Sequence, residues 1–318
     1  MLLPKPRGTM SAAVFEHLRS PEPAPGERWP TSPVADSTDD ELITLWALQE
    51  LSYRGFEDTD GDHKGDPFVL AERHQLESAL EARLRSRWTD VELEDDFAEQ
   101  FFDFVAAHDG PSLASFILRK ADRDQALELM QARSIYQLKE ADPTTWVIPH
   151  LAGRAKAALV ELQYDEYGAG DPDAMHSQVF AAGMEASGLN AEPGHYINDV
   201  PAEVLEQNTA MSLFGMQRRL AGAALGHLAG FEASSSLPSQ QMAAGLRRLE
   251  LPDEMAKYYD EHVEADAVHE QLAVRSVCAA FLGDEPHATQ DVFFGAFTCL
   301  DLEARTAQHF LDRWEATA

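Results

Sequence analysis

The sequence predicts an all-α protein, and three observations support this. Apolar residues recur at helical spacing along most of the chain, strand-like alternation is almost absent, and no internal repeat is present. The chain has 318 residues, of which 44% are hydrophobic, so it can bury a large core. We therefore expect many helices packed into one large domain.

The N-terminal part of the chain differs from the rest in composition. Residues 1–36 contain seven prolines and precede the first clear helical pattern, so we predict a mostly disordered arm over 1–36. Thr38 and Glu41 have the spacing of a capping box, which predicts that the first helix begins here. We expect a single domain over 37–318, in which auxiliary helices from 37–120 pack on a metal-binding bundle formed by 121–318.

Longer helices are predicted in the second half, between breaks rich in glycine and proline. The Ser234–Ser236 run and Pro238 are expected to end one of them. The predicted helices cover roughly 123–141, 152–167, 174–187, 201–233, 252–281 and 286–316.

Charge and cysteine content exclude several kinds of partner. The net charge of −30 disfavours nucleic acids and anionic membranes, and it weakly favours cationic substrates. No apolar run approaches the roughly 20 residues that cross a bilayer, and no secretory signal is evident. Cys278 and Cys299 form no metal or disulfide motif. We expect a cytoplasmic protein with reduced, buried cysteines.

The strongest chemical motif consists of His262, Asp266 and His269. Their spacing of i, i+4 and i+7 puts all three on one face of a helix, over about two turns. Two imidazoles and one carboxylate converging in this way form half of a metal site, and they suit Fe(II), Mn or Zn.

A solvated face of an acidic helix is the alternative interpretation of this motif. The neighbours Asp260, Glu261 and Glu264 favour exposure, whereas the flanking Val263 and Val268 favour a face that is at least half buried. The spacing alone does not decide between the two interpretations.

A metal centre needs further ligands from other helices, and Glu140, Glu166, His176 and Glu232 are candidates. Glu232 follows an apolar helical stretch, where an unpaired buried carboxylate would be costly. The other three fit helix ends exposed to solvent equally well. Other residues compete with them for the same roles, namely Glu161, Asp165 and His227.

Together these residues resemble the haem-oxygenase-like diiron oxidases and oxygenases, also called iron-containing redox enzymes. The resemblance covers roughly residues 125–315. It is closest to the amine N-oxygenase branch, of which the central domain of the N-nitrosourea-forming enzyme of streptozotocin biosynthesis is an example. It implies a haem-oxygenase-like helical bundle and the metal ligands Glu140, Glu166, His176, Glu232, His262, Asp266 and His269. Glu166 matches an additional glutamate ligand that simpler members of the family lack.

The resemblance implies an O2-dependent activity with two iron ions as the cofactor. Four carboxylates would neutralise the charge of two Fe(II) ions. We expect N-hydroxylation, with further oxidation open, of a small amine or guanidine in specialised metabolism. The electrons would come from an external donor, because no flavin or nicotinamide motif is present.

Two other functions remain as alternatives. A diiron oxidase on the same scaffold could cleave or desaturate an amino acid or fatty acid without needing Glu166. An acidic helical interaction protein with incidental histidines would be no enzyme at all. The sequence leaves the substrate and the oligomeric state open, with a homodimer as one option. Candidates for the substrate pocket are Tyr136, Gln137, Gln163, Met211, Phe214 and Tyr259.

Overall fold

A computed structural model describes residues 1–20, 33–59, 63–93 and 96–316, without the side chains of residues 264–267. These residues form helices and turns, and no strand occurs among them, which confirms the all-α class. The helices are α1 (Thr9–Arg19), α2 (Thr38–Glu50), α3 (Pro67–Arg85), α4 (Phe97–Ala106), α5 (Leu113–Arg119), α6 (Arg123–Gln137), α7 (Asp142–Thr145), α8 (Gly153–Glu166), α9 (His176–Ala186), α10 (Ala202–Met216), α11 (Ala221–Arg248), α12 (Asp253–Gln271), α13 (Ala279–Asp284) and α14 (Thr289–Ala316).

Helix α1 corrects the expectation of a disordered arm over 1–36. Its apolar face is fully buried against the domain, and Val14, Phe15 and Leu18 have no exposed surface. The prolines that suggested disorder fall mainly in residues 21–32, which lie outside the described residues. Composition averaged over 36 residues therefore concealed a short amphipathic helix.

The start of α2 is one residue earlier than the predicted capping box. The cap is Ser37, whose Oγ accepts a hydrogen bond from the backbone N–H of Asp40, and Thr38 is the first helical residue. Asp39, Asp40 and Glu41 then provide acidic side chains for the first turn, where the helix dipole favours them.

The long helix α11 lies at the centre of the domain and packs against α5, α12 and α14. It runs through the Ser234–Ser236 segment and Pro238, where the sequence predicted an end. The Oγ of Ser234 donates to the carbonyl oxygen of Gly230 inside the helix. Burial on three sides outweighs the backbone hydrogen bond that a proline removes.

Glycines let α11 and α14 approach at backbone distance. A Cβ atom on Gly226 would lie 1.8 Å from the carbonyl oxygen of Val292, and one on Gly295 would lie 2.0 Å from that of Ala223. No larger residue fits either position without moving a helix. This close contact fixes the half of α11 that precedes Glu232.

Two predicted helices are subdivided. The one expected over 201–233 breaks at Gln217, which is extended, so that α10 and α11 are separate. The one expected over 252–281 is continuous but passes through a π-helical segment, Leu272–Cys278, directly after α12. Such segments shift the faces of the helix that follows, and they often lie beside functional sites.

The apolar core is continuous from α1 to α14. Cys278 and Cys299 lie within it as free, buried thiols, as expected. In the described part of the chain, no helix combines the length and apolarity needed to cross a membrane.

Candidate metal centre

Six of the seven residues expected to bind metal are buried in the bundle, and they form two adjoining groups. The first group is Glu140, His176 and His262, and the second is Glu166, Glu232 and His269. Within each group, one potential ligand atom from each residue lies within 4.8 Å of the others. All six residues are at most 9% exposed.

Five separate elements position these side chains. Glu140 lies in the turn after α6, next to Ala141, whose φ of 70° is in the left-handed region. Glu166 is the last residue of α8, and His176 is the first residue of α9. The other three lie within helices, with Glu232 on α11 and both His262 and His269 on α12.

Asp266 is the seventh expected ligand. It lies on α12 between His262 and His269, but its side chain falls outside the described residues. Its assignment as a ligand therefore remains a prediction.

Glu166 lies between the two groups. Its Oε2 is 3.0 Å from Nδ1 of His176 in the first group, and its Oε1 is 3.4 Å from Nδ1 of His269 in the second. Oε2 of Glu232 is 3.7 Å from the same nitrogen of His269. One carboxylate thus faces both groups, as a bridging ligand would.

The donor atoms fit metal ions better than they fit one another. Nδ1 of His176 and Nδ1 of His269 are buried and form no hydrogen bond of acceptable geometry with any described residue. Carboxylate oxygens of Glu166 lie 3.0 Å from the first atom and 3.4 Å from the second without forming a hydrogen bond to either. Imidazole and carboxylate are ligands that iron binds well, so these residues could hold two such ions.

The carboxylates and histidines of this centre shift one another's pKa values strongly. Burial alone would lower the pKa of His262, but the adjacent Glu140 raises it to about 10. Burial alone would raise the pKa of Glu166, but the neighbouring His176 and His269 bring it well below its usual range. The histidines therefore retain protons that a metal ion must displace.

Tyr258 orients the first group, and the sequence analysis did not identify it. Its hydroxyl donates to Glu140, with both carboxylate oxygens at 2.8 Å. Its backbone carbonyl accepts a 2.7 Å hydrogen bond from Nδ1 of His262, which leaves Nε2 to face Glu140 at 3.5 Å. The signal was available, because Tyr258 precedes His262 by four residues and shares its helix face.

Asp165 contacts the second group from outside. Its Oδ2 is 3.4 Å from Nε2 of His269, the ring nitrogen that faces away from Glu166 and Glu232. In the sequence, Asp165 competes with Glu166 for the role of metal ligand. Glu166 is the one that points inwards, whereas the side chain of Asp165 is 52% exposed.

A cavity of 460 Å³ opens beside the first group, and His262 and Tyr258 form part of its wall. Four of the six expected pocket residues line it, namely Tyr136, Gln137, Met211 and Tyr259. Gln163 instead donates to the carbonyl of Ala141, and Phe214 lines a smaller neighbouring cavity.

Several polar and charged side chains belong to the wall of this cavity. Arg133 forms an ion pair with Glu303 at 3.2 Å, and both residues belong to the wall. His227 also belongs to the wall, and burial lowers its pKa to about 4, so its imidazole is neutral. The remaining wall is mostly apolar, with Leu113, Leu129, Met242, Leu300 and Phe310 among its members.

Comparison with known proteins gives a family match and structural matches. A family model described as an iron-containing redox enzyme matches residues 127–304. A CADD-like protein of unknown function from Nostoc punctiforme is similar in structure, with a TM-score of 0.55 and 17% identity over 68% of this chain and 96% of that one. A second crystal structure of that protein gives a TM-score of 0.53 and 16% identity, over 70% and 95% of the two chains. No curated protein matches the sequence.

Proposed function

The chain belongs to the iron-containing redox enzyme family, and from this we propose that it is a diiron oxygenase that uses O2 to N-hydroxylate a small amine or guanidine. The family match agrees with the resemblance inferred from the sequence. The number of irons, the use of O2 and the oxidation of a nitrogen atom are the parts of the proposal that go beyond the family.

The position of Glu166 is the observation that carries the proposal. Its two oxygens face histidines of two different groups, at 3.0 and 3.4 Å. A single-iron site would need only one of these groups, whereas a carboxylate shared between two supports a pair of ions. This residue also matches the additional glutamate of the N-oxygenase branch.

The buried residues have separable tasks in this proposal. Glu140, His176 and His262 would hold one iron, Glu232 and His269 with Asp266 would hold the other, and Glu166 would bridge them. The two ferrous ions would supply electrons for the reduction of O2 and so make an oxygen atom available to the substrate. The hydrogen bond from Nδ1 of His262 to the backbone keeps Nε2 available as a ligand atom.

The cavity would bind the substrate next to the first group. Its mostly apolar wall would contact the body of the substrate, and Glu303 offers a carboxylate to a cationic amine or guanidinium. Arg133, which pairs with Glu303, could turn to a substrate carboxylate. The net charge of −30 also favours the approach of a cationic substrate.

Turnover with isotopically labelled O2 tests the proposal. Reduced protein loaded with two Fe(II) per chain is mixed with ¹⁸O2 and a panel of amines and guanidines, and the products are weighed by mass spectrometry. We expect one labelled oxygen on a substrate nitrogen. Oxidation only at carbon, or no substrate oxidation with any amine, would refute N-oxygenation.

A pair of variants on α8 makes this test specific. Glu166→Gln removes the bridging charge and should abolish labelled product while lowering iron content. Glu161→Gln removes the same charge from an exposed position of the same helix, so product and iron content should stay at wild-type levels. Equal activity in the two variants would show that Glu166 does not serve the centre.

The apolar wall of the cavity favours a second candidate. Leu113, Leu129 and Leu300 could accommodate a hydrocarbon chain, which suits an oxidase that cleaves or desaturates a fatty acid or an apolar amino acid. An alkene or a shortened product from such substrates, without any N-oxidised product from amines, would select this function.

A further inference from the structure

A third group of metal-ligating side chains lies outside the centre described above. It consists of His17 on α1, His63 in a 3₁₀ turn over His63–Gly65, and Asp66, which caps α3. One potential ligand atom from each lies within 4.8 Å of the others. All three residues precede the segment 127–304 that matches the family model, so the group belongs to the N-terminal helices of this chain.

The two oxygens of Asp66 have different environments. Oδ1 accepts hydrogen bonds from the backbone N–H groups of Phe68 and Val69 and so caps α3. Oδ2 points to the histidines instead, at 2.6 Å from Nε2 of His17 and 3.4 Å from Nδ1 of His63. The cap therefore fixes the carboxylate in an orientation that presents Oδ2 to both imidazoles.

The group is buried, and its hydrogen bonding is incomplete. The side chains of His17, His63 and Asp66 are 9%, 0% and 1% exposed. Nδ1 of His63 is the ring nitrogen that faces Asp66, and its contact with Oδ2 is long, at 3.4 Å. This buried imidazole is therefore held only weakly on the side where a metal ion would bind.

Charge also favours a cation here. An aspartate carboxylate normally carries a negative charge at neutral pH, and the backbone N–H groups of Phe68 and Val69 stabilise this charge by donating to Oδ1 of Asp66. Two imidazoles and one ionised carboxylate are a ligand set typical of Zn²⁺.

We propose that His17, His63 and Asp66 form a divalent metal site that takes Zn²⁺ and ties α1 to the start of α3. Ligand atoms bound to a tetrahedral zinc ion at about 2 Å lie roughly 3.3 Å from one another. The distance of 3.4 Å between Nδ1 of His63 and Oδ2 of Asp66 already fits this value. The distance of 2.6 Å between Nε2 of His17 and the same oxygen has to lengthen by less than about 1 Å.

The site has a structural role that is independent of the iron chemistry. Helix α1 packs against α2, and its His17 reaches across to Asp66 at the beginning of α3. A metal ion at this point cross-links segments that are 49 residues apart. Because the ion binds only when these segments meet, it stabilises the folded state.

Zinc analysis of the full chain tests the proposal. Iron-loaded wild-type protein and its variants are equilibrated with Zn²⁺, desalted and analysed for metal by mass spectrometry. His17→Gln and His63→Gln should each hold one zinc fewer per chain than the wild type, and Zn²⁺ should raise Tm less in them. His74→Gln, at an exposed position of α3, is the matched control and should keep the wild-type content.

Equal zinc content in all four proteins would overturn the proposal and leave His17 and Asp66 as a simple ion pair. Circular dichroism establishes whether the variants fold. If one does not, the wild-type protein is crystallised with Zn²⁺ and measured at the zinc absorption edge. An anomalous peak between His17, His63 and Asp66 would support the site, and its absence would overturn it.

Discussion

Tyr258→Phe tests how the buried carboxylate of Glu140 is held. The phenol oxygen lies 2.8 Å from both oxygens of Glu140, but its single proton makes one shared hydrogen bond. Tyr258 is 2% exposed and Glu140 is 5% exposed, so bulk solvent has little access to this hydrogen bond. A hydrogen bond to a charged group contributes about 1.5–3 kcal/mol, and we expect the free energy of unfolding of the metal-free protein to fall by this amount.

Tyr259→Phe is the matched control. It is the next residue of α12 and is equally buried, but its hydroxyl makes only long contacts, at 3.4 Å to Arg133 and 3.5 Å to the sulfur of Met130. We expect a loss of about 1 kcal/mol or less. Urea unfolding at pH 7 with a chelator, followed by tryptophan fluorescence, measures both variants. Equal losses would refute the role given to the Tyr258 hydroxyl.

Iron binding gives a second readout of the same variant. Glu140 belongs to only one of the two groups, so Tyr258→Phe should weaken one of two ferrous-binding steps. Removing a partner that orients a metal ligand typically costs about 10–100-fold in affinity. Anaerobic Fe(II) titration measures this. Two unchanged steps would show that the hydrogen bond does not position Glu140 for metal.

Three further predictions concern positions around the centre. Asp165→Asn should weaken iron binding by less than about tenfold, because the Asp165 side chain is half exposed and lies 3.4 Å from Nε2 of His269. A larger loss of affinity in the Fe(II) titration would make Asp165 a direct ligand. Gly226→Ala should destabilise the protein by about 3 kcal/mol or more in urea unfolding, because the added Cβ would meet the backbone of α14. Gly283→Ala is the control. It has open space around it and should be neutral or stabilising by about 0.5–1 kcal/mol. Burial lowers the pKa of His227 from 6.5 to about 4, so between these pH values the unfolded protein binds a proton that the folded protein does not. The free energy of unfolding should therefore fall by about 3 kcal/mol as the pH falls from 6.5 to 4. His227→Gln should reduce this loss, and identical pH dependence of the urea midpoint in both proteins would contradict it.

The sequence by itself determined the all-α class and the residues that could form a metal centre. Helix class follows from apolar spacing that is local in the chain, and the spacing of His262 and His269 places them on one face wherever the helix lies. The remaining candidates were specific only as a set. Four of them were found in one buried place together with His262 and His269, namely Glu140, Glu166, His176 and Glu232.

Only the tertiary structure decided which groups share a metal-sized space. It divided the candidate ligands into two groups, put Glu166 between them and turned Asp165 outwards, although Asp165 and Glu166 are adjacent in sequence. It also carried α11 through Pro238 and folded α1 onto the domain. These outcomes depend on burial against segments that are distant in the sequence. Such burial outweighs local helix propensity, and it cannot be read from the spacing of neighbouring residues.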